Sequence, residues 1–360
     1  MNPIDALFPG MSPTRPLVMA GPCSAESERQ VMDTALGLRA AGVRVFRAGL
    51  WKPRTRPDAF EGVGERGLAW LQQVKQQTGM KVGTEVASPR HVQLAREAGL
   101  DFVWLGARTT VNPFLVQQLA DELGEEPDEM AVLVKNPVSP DLELWVGALE
   151  RLREAGIGRL AAVHRGFTAT DTGPYRNAPQ WHLPIELRRR LPSLALLCDP
   201  SHLGGDRALV ACLAQQAMDL DFDGLMVEAH VCPDRALSDA RQQLTPEALK
   251  TLVEGLVLRR GGTGDARLQA CRAQIDECDD QLFEVLSRRL AVCREIGELK
   301  RSQGWQVLQS DRYSDMLARR TAQAGRLGLS AESIQRIMEA VHEESLRQQM
   351  EIMNQSSHTL

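Results

Sequence analysis

The sequence of 360 residues lacks four features that would each indicate a particular class of protein. No run approaches the roughly 18 apolar residues of a transmembrane helix, and residues 1–16 lack the charged start and apolar core of a signal peptide. Positive charge is not in excess, because 42 lysines and arginines stand against 47 aspartates and glutamates, so nucleic acid is not an expected partner. The seven cysteines are odd in number and lack the regular spacing of a disulfide framework. They therefore predict a protein of the reducing cytoplasm.

What is present is an ordinary globular composition, 43% hydrophobic and 25% charged, with a repeating pattern over most of the chain. Short apolar runs alternate with amphipathic helical stretches, and the runs are apolar on both faces, as in buried parallel strands. Eight such units predict a (β/α)₈ TIM barrel, with an open doubly wound sheet as the alternative. The predicted strands are 17–22, 43–48, 81–86, 102–106, 131–134, 160–163, 194–198 and 225–227, and the predicted helices include 28–41, 89–98, 141–155, 206–218 and 246–258.

Glycines interrupt this pattern at 259–265, which predicts a flexible linker between a barrel domain (1–258) and a second domain (266–360). The second domain is predicted to be all-α, with helices at 266–301, 311–324 and 331–354. The first of these helices is about 50 Å long. One copy of the shorter helices cannot cover its apolar stripe, so we predict a homodimer through this domain, or a tetramer if the barrels also associate.

Ligand-type side chains follow three strands that become neighbours when the barrel closes. The chemistry of this fold lies at the C-terminal ends of the strands. A thiol, an imidazole and two carboxylates lie there, namely Cys23, His202, Glu228 and Asp239. This mixture of soft and hard ligands predicts a divalent metal site suited to Mn, Fe, Co or Zn. The alternative is a buried cysteine, a hydrogen-bonded histidine and two surface carboxylates.

Cations follow strands two, four, five and six, namely Arg47, Lys52, Arg54, Arg108, Lys135 and Arg165. Taken singly, each is more typical of a solvated rim charge. Six at the mouth of an acidic barrel predict a highly anionic substrate, because guanidinium groups match the geometry of phosphate and carboxylate.

Nine strings at these strand ends resemble 3-deoxy-D-arabino-heptulosonate 7-phosphate (DAHP) synthases of the short bacterial subtype. They are GPCS, RAGLWKPRT, GTEV, GAR, VKNP, HRG, DPSH, VEAH and SDARQQLTP, within residues 15–258. The resemblance implies a metal-dependent, aldol-type condensation of phosphoenolpyruvate with erythrose 4-phosphate. The KPRT string favours this reaction over that of the related octulosonate 8-phosphate synthases, which remain the alternative.

The resemblance also implies roles for particular residues. The four ligand-type residues would hold the metal, and Glu85 would lie near the reacting centre with the catalytic Lys52. The phosphoenolpyruvate clamp would be Arg47, Lys52, Arg108, Lys135 and Arg165, with backbone groups of Gly106 and Ala107. The erythrose 4-phosphate contacts would be Lys52, Arg54 and Thr55. His164 and His230 receive no role.

Polar residues interrupt the apolar stripes of the helical domain. Arg289 falls on the stripe of Leu268, Ile275, Leu282 and Ile296, and Ser345 and Gln349 continue the stripe of the last helix. Polar groups at core-facing positions are costly unless they are paired. These residues predict either an internal anion pocket or long side chains that reach out to solvent.

Residues 267–355 resemble the all-helical chorismate mutases, which convert chorismate to prephenate by a Claisen rearrangement. The implied site is Arg272, Arg289, Lys300, Gln309, Arg312, Tyr313, Ser345 and Gln349, with Arg289, Lys300 and Gln349 as the catalytic residues. Arg272 would come from the partner chain of an intertwined dimer. The family commonly has carboxylates where this chain has Gln309 and Tyr313. The alternative is therefore a non-catalytic dimerisation and feedback-sensing domain.

Overall fold

The computed structural model describes residues 3–11, 16–52, 60–127, 130–259, 265–308 and 310–354. The chain divides into two compact units, Met1–Arg260 and Gly261–Leu360, and each is described by itself. The predicted domain limits at 258 and 266 stay a prediction, because most of the predicted linker lies outside the described residues. Among the helices of the described part, none has the length and apolar character to cross a membrane.

The first unit is a closed barrel of eight parallel strands that follow one another in chain order. The strands are β1 (Leu17–Gly21), β2 (Val45–Arg47), β3 (Lys81–Val86), β4 (Phe102–Leu105), β5 (Ala131–Lys135), β6 (Leu160–His164), β7 (Ala195–Cys198) and β8 (Gly224–Glu228). Because β1 pairs with both β2 and β8, the barrel is closed. The predicted fold class is confirmed, and the open sheet is excluded.

Helices surround the barrel and connect its strands. They are α1 (Pro3–Leu7), α2 (Glu28–Ala40), α3 (Arg66–Thr78), α4 (Pro89–Glu97), α5 (Ala107–Thr110), α6 (Pro113–Gly124), α7 (Leu142–Glu154), α8 (His182–Arg190), α9 (Pro200–Gly204), α10 (Arg207–Asp219) and α11 (Pro246–Glu254). Side chains cap several of their first turns. For example, Ser27 accepts from the backbone N of Gln30, and Asp141 accepts from that of Leu144.

The two faces of each strand bury different sets of residues, because successive side chains point to opposite sides. Met19, Val45 and Leu133 are fully buried inside the barrel. Ala20 and Phe46 belong to a second cluster, between the strands and the surrounding helices. Both faces are therefore largely apolar, which explains the near-continuous apolar runs of most strands in the sequence.

The short helix α1 closes the N-terminal end of the barrel, a feature that the sequence analysis did not predict. Ile4, Leu7 and Phe8 are buried in the inner cluster. The ring of Phe8 meets that of Phe102 edge-on, with centroids 5.9 Å apart. Five residues are too few to show a helical period or to form a stable helix alone, so this helix depends on tertiary contacts.

Strand pairing brings the ends of the strands to one rim. Gly21 of β1 pairs with Glu228 of β8, and Lys135 of β5 pairs with Val163 of β6. Each of these residues lies at or next to the end of its strand. The side chains that follow the strands therefore face a common opening, opposite the end that α1 closes.

The described residues of the second unit form three α-helices, which confirms the predicted helices to within two residues. They are α12 (Ala266–Gln303), α13 (Ser310–Ala324) and α14 (Ala331–Asn354). The last turns of α12 pack on α14 around Gly297, where an added Cβ would lie 3.1 Å from Ile352 Cδ1. The stripe of α12 stays exposed in the single chain, with Ile275 58%, Leu282 52% and Ile296 40% exposed.

Candidate active sites

Three ligand-type side chains converge at the open rim of the barrel. Cys23 follows β1, Glu228 ends β8 and Asp239 lies in the loop beyond it, and their ligand atoms all lie within 4.8 Å of one another. Cys23 Sγ donates to Asp239 Oδ2 at 3.3 Å. His202 of α9 lies beside them, with its Nε2 3.7 Å from Glu228 Oε1. The structure thus brings together the four residues that the sequence analysis grouped.

The charges of this ligand cluster (Cys23, His202, Glu228 and Asp239) fit a divalent cation. Burial, followed by the charge of Glu228, raises the pKa of the Cys23 thiol to about 12. Burial opposes ionisation of Glu228 and Asp239, but His202 and nearby arginines lower the pKa of both carboxyl groups. A metal that displaces the thiol proton would complete a set of one sulfur, one nitrogen and two carboxylate donors. That donor set suits Mn, Fe, Co or Zn.

Asp199 fixes the orientation of His202. Its Oδ2 lies 2.8 Å from His202 Nδ1, and its Oδ1 accepts from the backbone N of His202 at 3.0 Å. The other ring nitrogen, Nε2, is left to face Glu228. A carboxylate behind a histidine in this way is the usual second layer of a metal site. Asp199 Oδ2 also accepts from Lys135 Nζ at 2.7 Å, so it joins the ligand cluster to the neighbouring cations.

A cavity of about 250 Å³ opens beside the ligand cluster. Among the described residues five cations line it, and four of them were predicted from the sequence. Its lining residues are Lys52, Glu85, Gly106, Ala107, Arg108, Lys135, Val138, Arg165, Thr168, Arg176, Asn177, His202 and Asp239. Burial lowers the pKa of Arg165 to about 10, which still leaves the guanidinium charged at neutral pH. The cavity therefore has the charge to hold a polyanion next to the ligand cluster.

Arg47 lies behind the ligand cluster rather than in this lining. It is fully buried, its Nη1 donates to Glu228 Oε1 at 2.8 Å, and its guanidinium lies 4.6 Å from the centroid of the Trp104 ring. This contact holds Glu228 in place from behind. Removing one partner of such a buried ion pair lowers the stability of a protein by about 3–5 kcal/mol. The role of Arg47 in the phosphoenolpyruvate clamp stays a prediction. Arg54 and Thr55 lie outside the described residues.

Glu85 and Gly106 shape the wall of the cavity next to Lys52. Lys52 Nζ lies 3.9 Å from Glu85 Oε2, which accepts from Trp104 Nε1 at 3.3 Å. A Cβ at position 106 would lie 2.2 Å from Glu85 Oε1, so only glycine allows the carboxylate to occupy this position. The backbone of Gly106 and Ala107 therefore comes close to the carboxylate and to the cavity.

The sequence analysis missed several uncharged residues that hold the site together. Asn136 Oδ1 accepts from the backbone N of Arg165, and Gln243 Oε1 accepts from that of Cys23. Gln242 Nε2 donates to Glu228 Oε2 at 2.7 Å. These amides lie within the strings VKNP and SDARQQ. An uncharged amide gives no electrostatic signal in a sequence, and only its place in those strings could have identified it.

The unassigned histidine of the HRG string is a core residue. His164 is fully buried, and its ring lies 5.6 Å from that of Phe167 and 5.1 Å from that of Trp181. Burial lowers the pKa of His164 to about 3, so the ring is neutral. It faces the helix layer rather than the cavity. His230, the other unassigned histidine, accepts from the backbone N of Cys232 at 2.8 Å.

The second unit holds a polar cluster between α12 and α14. Arg289 Nη1 donates to Ser345 Oγ at 2.6 Å. Lys300 Nζ donates to Gln349 Oε1 at 3.0 Å and to the backbone oxygen of Val307 at 2.6 Å, and burial lowers its pKa. Four predicted mutase residues therefore lie together, and two of them, Arg289 and Lys300, are cations.

The other predicted mutase residues lie apart from this polar cluster or beside it. Arg272 is exposed and lies seventeen positions before Arg289 in α12, which is about 26 Å along the helix axis. The Tyr313 ring stacks on that of His342, with centroids 4.0 Å apart. Burial, then the charges of Arg289 and Lys300, lower the pKa of His342. Arg312 is exposed on α13, and Gln309 lies outside the described residues.

Comparison with known proteins gives two family matches on this chain. The family model of the DAHP synthetase I family matches residues 11–257, and that of chorismate mutase type II matches residues 271–350. A phospho-2-dehydro-3-deoxyheptonate aldolase of Thermotoga maritima is 33% identical over 237 residues, which cover 66% of this chain and 68% of that protein. A 2-dehydro-3-deoxyphosphooctonate aldolase of Desulfatibacillum aliphaticivorans is 30% identical over 266 residues, covering 68% of this chain and 92% of that protein.

A solved structure agrees with the barrel. The crystal structure of the Thermotoga maritima phospho-2-dehydro-3-deoxyheptonate aldolase (DAHP synthase) superposes with a TM-score of 0.60 at 33% identity. The match covers 66% of this chain and 67% of that one. The chain is therefore an enzyme of the DAHP synthetase I family whose barrel is followed by a chorismate mutase type II domain.

Proposed function

We propose that the barrel condenses phosphoenolpyruvate with erythrose 4-phosphate and one water molecule to give DAHP and phosphate. One observation carries this proposal: a cavity lined by five cations adjoins a cluster of thiol, imidazole and carboxylate ligands. Both substrates are phosphorylated, and two polyanions repel each other. Cations around one small cavity would hold them in register, which is catalysis by proximity and electrostatic preorganisation.

The roles of the residues follow from this arrangement. Cys23, His202, Glu228 and Asp239 would hold a divalent Mn, Fe, Co or Zn ion, which supplies Lewis acidity toward the aldehyde carbonyl. Lys135 and Arg165 border the cavity next to Asp199 and would bind phosphoenolpyruvate, together with Arg108. Lys52 lies between Glu85 and the ligand cluster, where its ammonium would neutralise charge that develops on the reacting oxygens.

Erythrose 4-phosphate should be the better acceptor, and we expect clear turnover with it and little with arabinose 5-phosphate. The related octulosonate reaction is the second candidate, because several relatives carry the name 2-dehydro-3-deoxyphosphooctonate aldolase. Phosphate release from phosphoenolpyruvate with each sugar phosphate measures the preference. A higher kcat/KM with arabinose 5-phosphate would contradict the proposal and support the octulosonate reaction.

For the second unit we propose chorismate mutase activity. The polar cluster of Arg289, Lys300, Ser345 and Gln349 supports this, because its cations can bind a dicarboxylate and stabilise charge on the ether oxygen of chorismate. The rearrangement needs no covalent intermediate, only a compact substrate conformer held in place. A non-catalytic feedback sensor remains the second candidate, because Tyr313 stands where the family commonly has a carboxylate.

The exposed stripe of α12 supports a dimer that completes this site. Arg272 is about 26 Å from Arg289 along the helix axis, which is too far to reach the polar cluster of its own chain. It could reach only the polar cluster of a second copy. Ile275, Leu282 and Ile296 are all at least 40% exposed. An exposed apolar stripe of this length, here interrupted by Arg289, is typical of a protein–protein contact. We propose that two copies of α12 cover each other's stripe and that each supplies Arg272 to the other's site.

Replacing Leu282 with glutamate should dissociate this dimer, because a buried charge would then lie in the middle of the shared stripe. We expect a halved mass by size-exclusion chromatography with light scattering, and a large loss of mutase turnover. Leu327→Glu is the matched control, since Leu327 is 67% exposed and lies outside α12. An unchanged mass for the Leu282→Glu chain would contradict the proposed interface.

A further inference from the structure

We infer that Arg176 is a positioning residue that holds two carboxylates of the ligand cluster in the geometry for metal binding. This inference rests on the proposed metal-dependent function of the barrel. Arg176 lies in the loop between β6 and α8. Its Nη1 donates to Asp239 Oδ1 at 3.0 Å and to Gln242 Oε1 at 2.7 Å. Gln242 in turn donates to Glu228 Oε2 at 2.7 Å, so one guanidinium connects both carboxylates.

An isolated, half-exposed ion pair contributes little, because solvent screens it and the side chains lose freedom when they pair. Arg176 differs from such a pair because its backbone and side chain are already held. Its backbone N donates to the backbone oxygens of Leu203 and Gly204. Its side chain packs so closely on Gly205 that an added Cβ there would lie 2.5 Å from Arg176 Cβ. Little freedom is left to lose when the guanidinium binds Asp239.

The backbone conformation of Asp239 is one that surrounding contacts must support. Its φ of +46° lies in the left-handed region, which a residue with a side chain adopts at a cost. Conformations of this kind persist where surrounding contacts enforce them. The bond from Arg176 engages Oδ1 and leaves Oδ2 facing Cys23, which is the oxygen on the side of the ligand cluster.

The next residue, Asn177, connects the ligand cluster to the cationic wall of the cavity. Asn177 Nδ2 donates to the backbone oxygen of His202 at 2.6 Å, and its Oδ1 accepts from Arg165 Nη1 at 2.8 Å. The pair Arg176–Asn177 therefore touches the ligand cluster with one side chain and the cationic wall of the cavity with the other. These two residues therefore belong to an outer layer around the metal ligands. Residues of such a layer orient the ligands without contacting the metal.

The test is the affinity for metal of the full chain, measured without substrate. We expect Arg176→Gln to weaken binding of Co²⁺ or Mn²⁺ to chelator-stripped protein by about 10–100-fold, the range for outer-layer partners of metal ligands. Competition with a chelating dye measures the dissociation constant, and the visible spectrum of bound Co²⁺ reports on ligand geometry. Arg188→Gln is the matched control, because Arg188 pairs with Asp223 at 2.7 Å in the same unit and should leave the affinity unchanged.

The melting temperature of the metal-free variants separates positioning from folding, and we expect it to stay close to that of the parent. If Arg176→Gln does not fold, Gln242→Leu removes the link to Glu228 instead and should also weaken metal binding. Parent-like affinity and Co²⁺ spectrum in the folded variant would overturn the inference. A parent chain that binds neither metal would instead overturn the metal-dependent function, and the inference with it.

Discussion

Cys23→Ala should remove DAHP synthase turnover almost completely, by more than about 100-fold, because even outer-layer partners of metal ligands cost about 10–100-fold. Cys23 is fully buried, and its Sγ is the only sulfur donor among the four residues of the ligand cluster. Without it, Glu228 and Asp239 would bind a borderline-soft metal less tightly. The loss is measured as phosphate released from phosphoenolpyruvate in the presence of erythrose 4-phosphate and added Mn²⁺.

Two controls make this result specific. Cys198→Ala deletes another fully buried thiol, at the end of β7, and should keep most of the activity because that side chain packs in the helix-facing core. Chorismate mutase turnover of the Cys23→Ala chain should be unchanged, since the polar cluster lies in the other unit. Chelation of the parent chain should reproduce the loss, and full synthase activity after stripping the metal would contradict metal dependence.

Arg289→Ala should lower mutase turnover by about 10²–10³-fold, the usual cost of removing one preorganised donor from a transition state. Arg289 is half-buried in the polar cluster, and its Nη1 bonds Ser345 Oγ at 2.6 Å. The variant keeps Lys300 and Gln349, so residual binding of chorismate is expected. The measurement is the rate at which chorismate disappears, with DAHP synthase turnover followed in parallel and expected to stay at the parent value.

Arg294→Ala is the matched control for that experiment. Arg294 lies on the same helix and also donates to a glutamine of α14, Gln348, at 3.1 Å, but it is exposed. We expect parent-like mutase turnover from this variant. If the parent chain itself converts no chorismate, the proposed mutase activity is wrong. The hypothesis of a non-catalytic feedback sensor is then favoured. Chorismate or prephenate should then change synthase turnover.

Much of the fold could be predicted from local patterns. Strands buried on both faces are apolar at most positions, and this distinguishes the parallel barrel from alternating strands. Parallel strands also end at one rim, so the chain position of Lys135 or Arg165 predicts which end of the barrel it faces. The stripe of α12 predicts a long helix for a similar reason, since a helical period is visible over many turns.

Other features depended on contacts that no local pattern encodes. The short helix α1 is five residues long and is stabilised by its contacts with the barrel interior rather than by its own hydrogen bonds. Arg47 ends β2 and Arg165 directly follows β6, and both carry the same charge. Arg47 nevertheless pairs with Glu228 behind the ligand cluster, whereas Arg165 lines the cavity. Gln242 and Asn177 were missed because uncharged amides acquire their roles only from their neighbours.

Local sequence therefore sets the order of strands and helices, the end of the barrel that carries the charged residues, and the chemistry of the side chains there. Periodicity and charge are properties of single residues and their near neighbours, so a sequence displays them directly. The folded barrel sets which donor meets which acceptor, as with Arg176, Asp239 and Gln242. A hydrogen bond depends on separations of about 3 Å between atoms far apart in the chain, and only the closed barrel sets those separations.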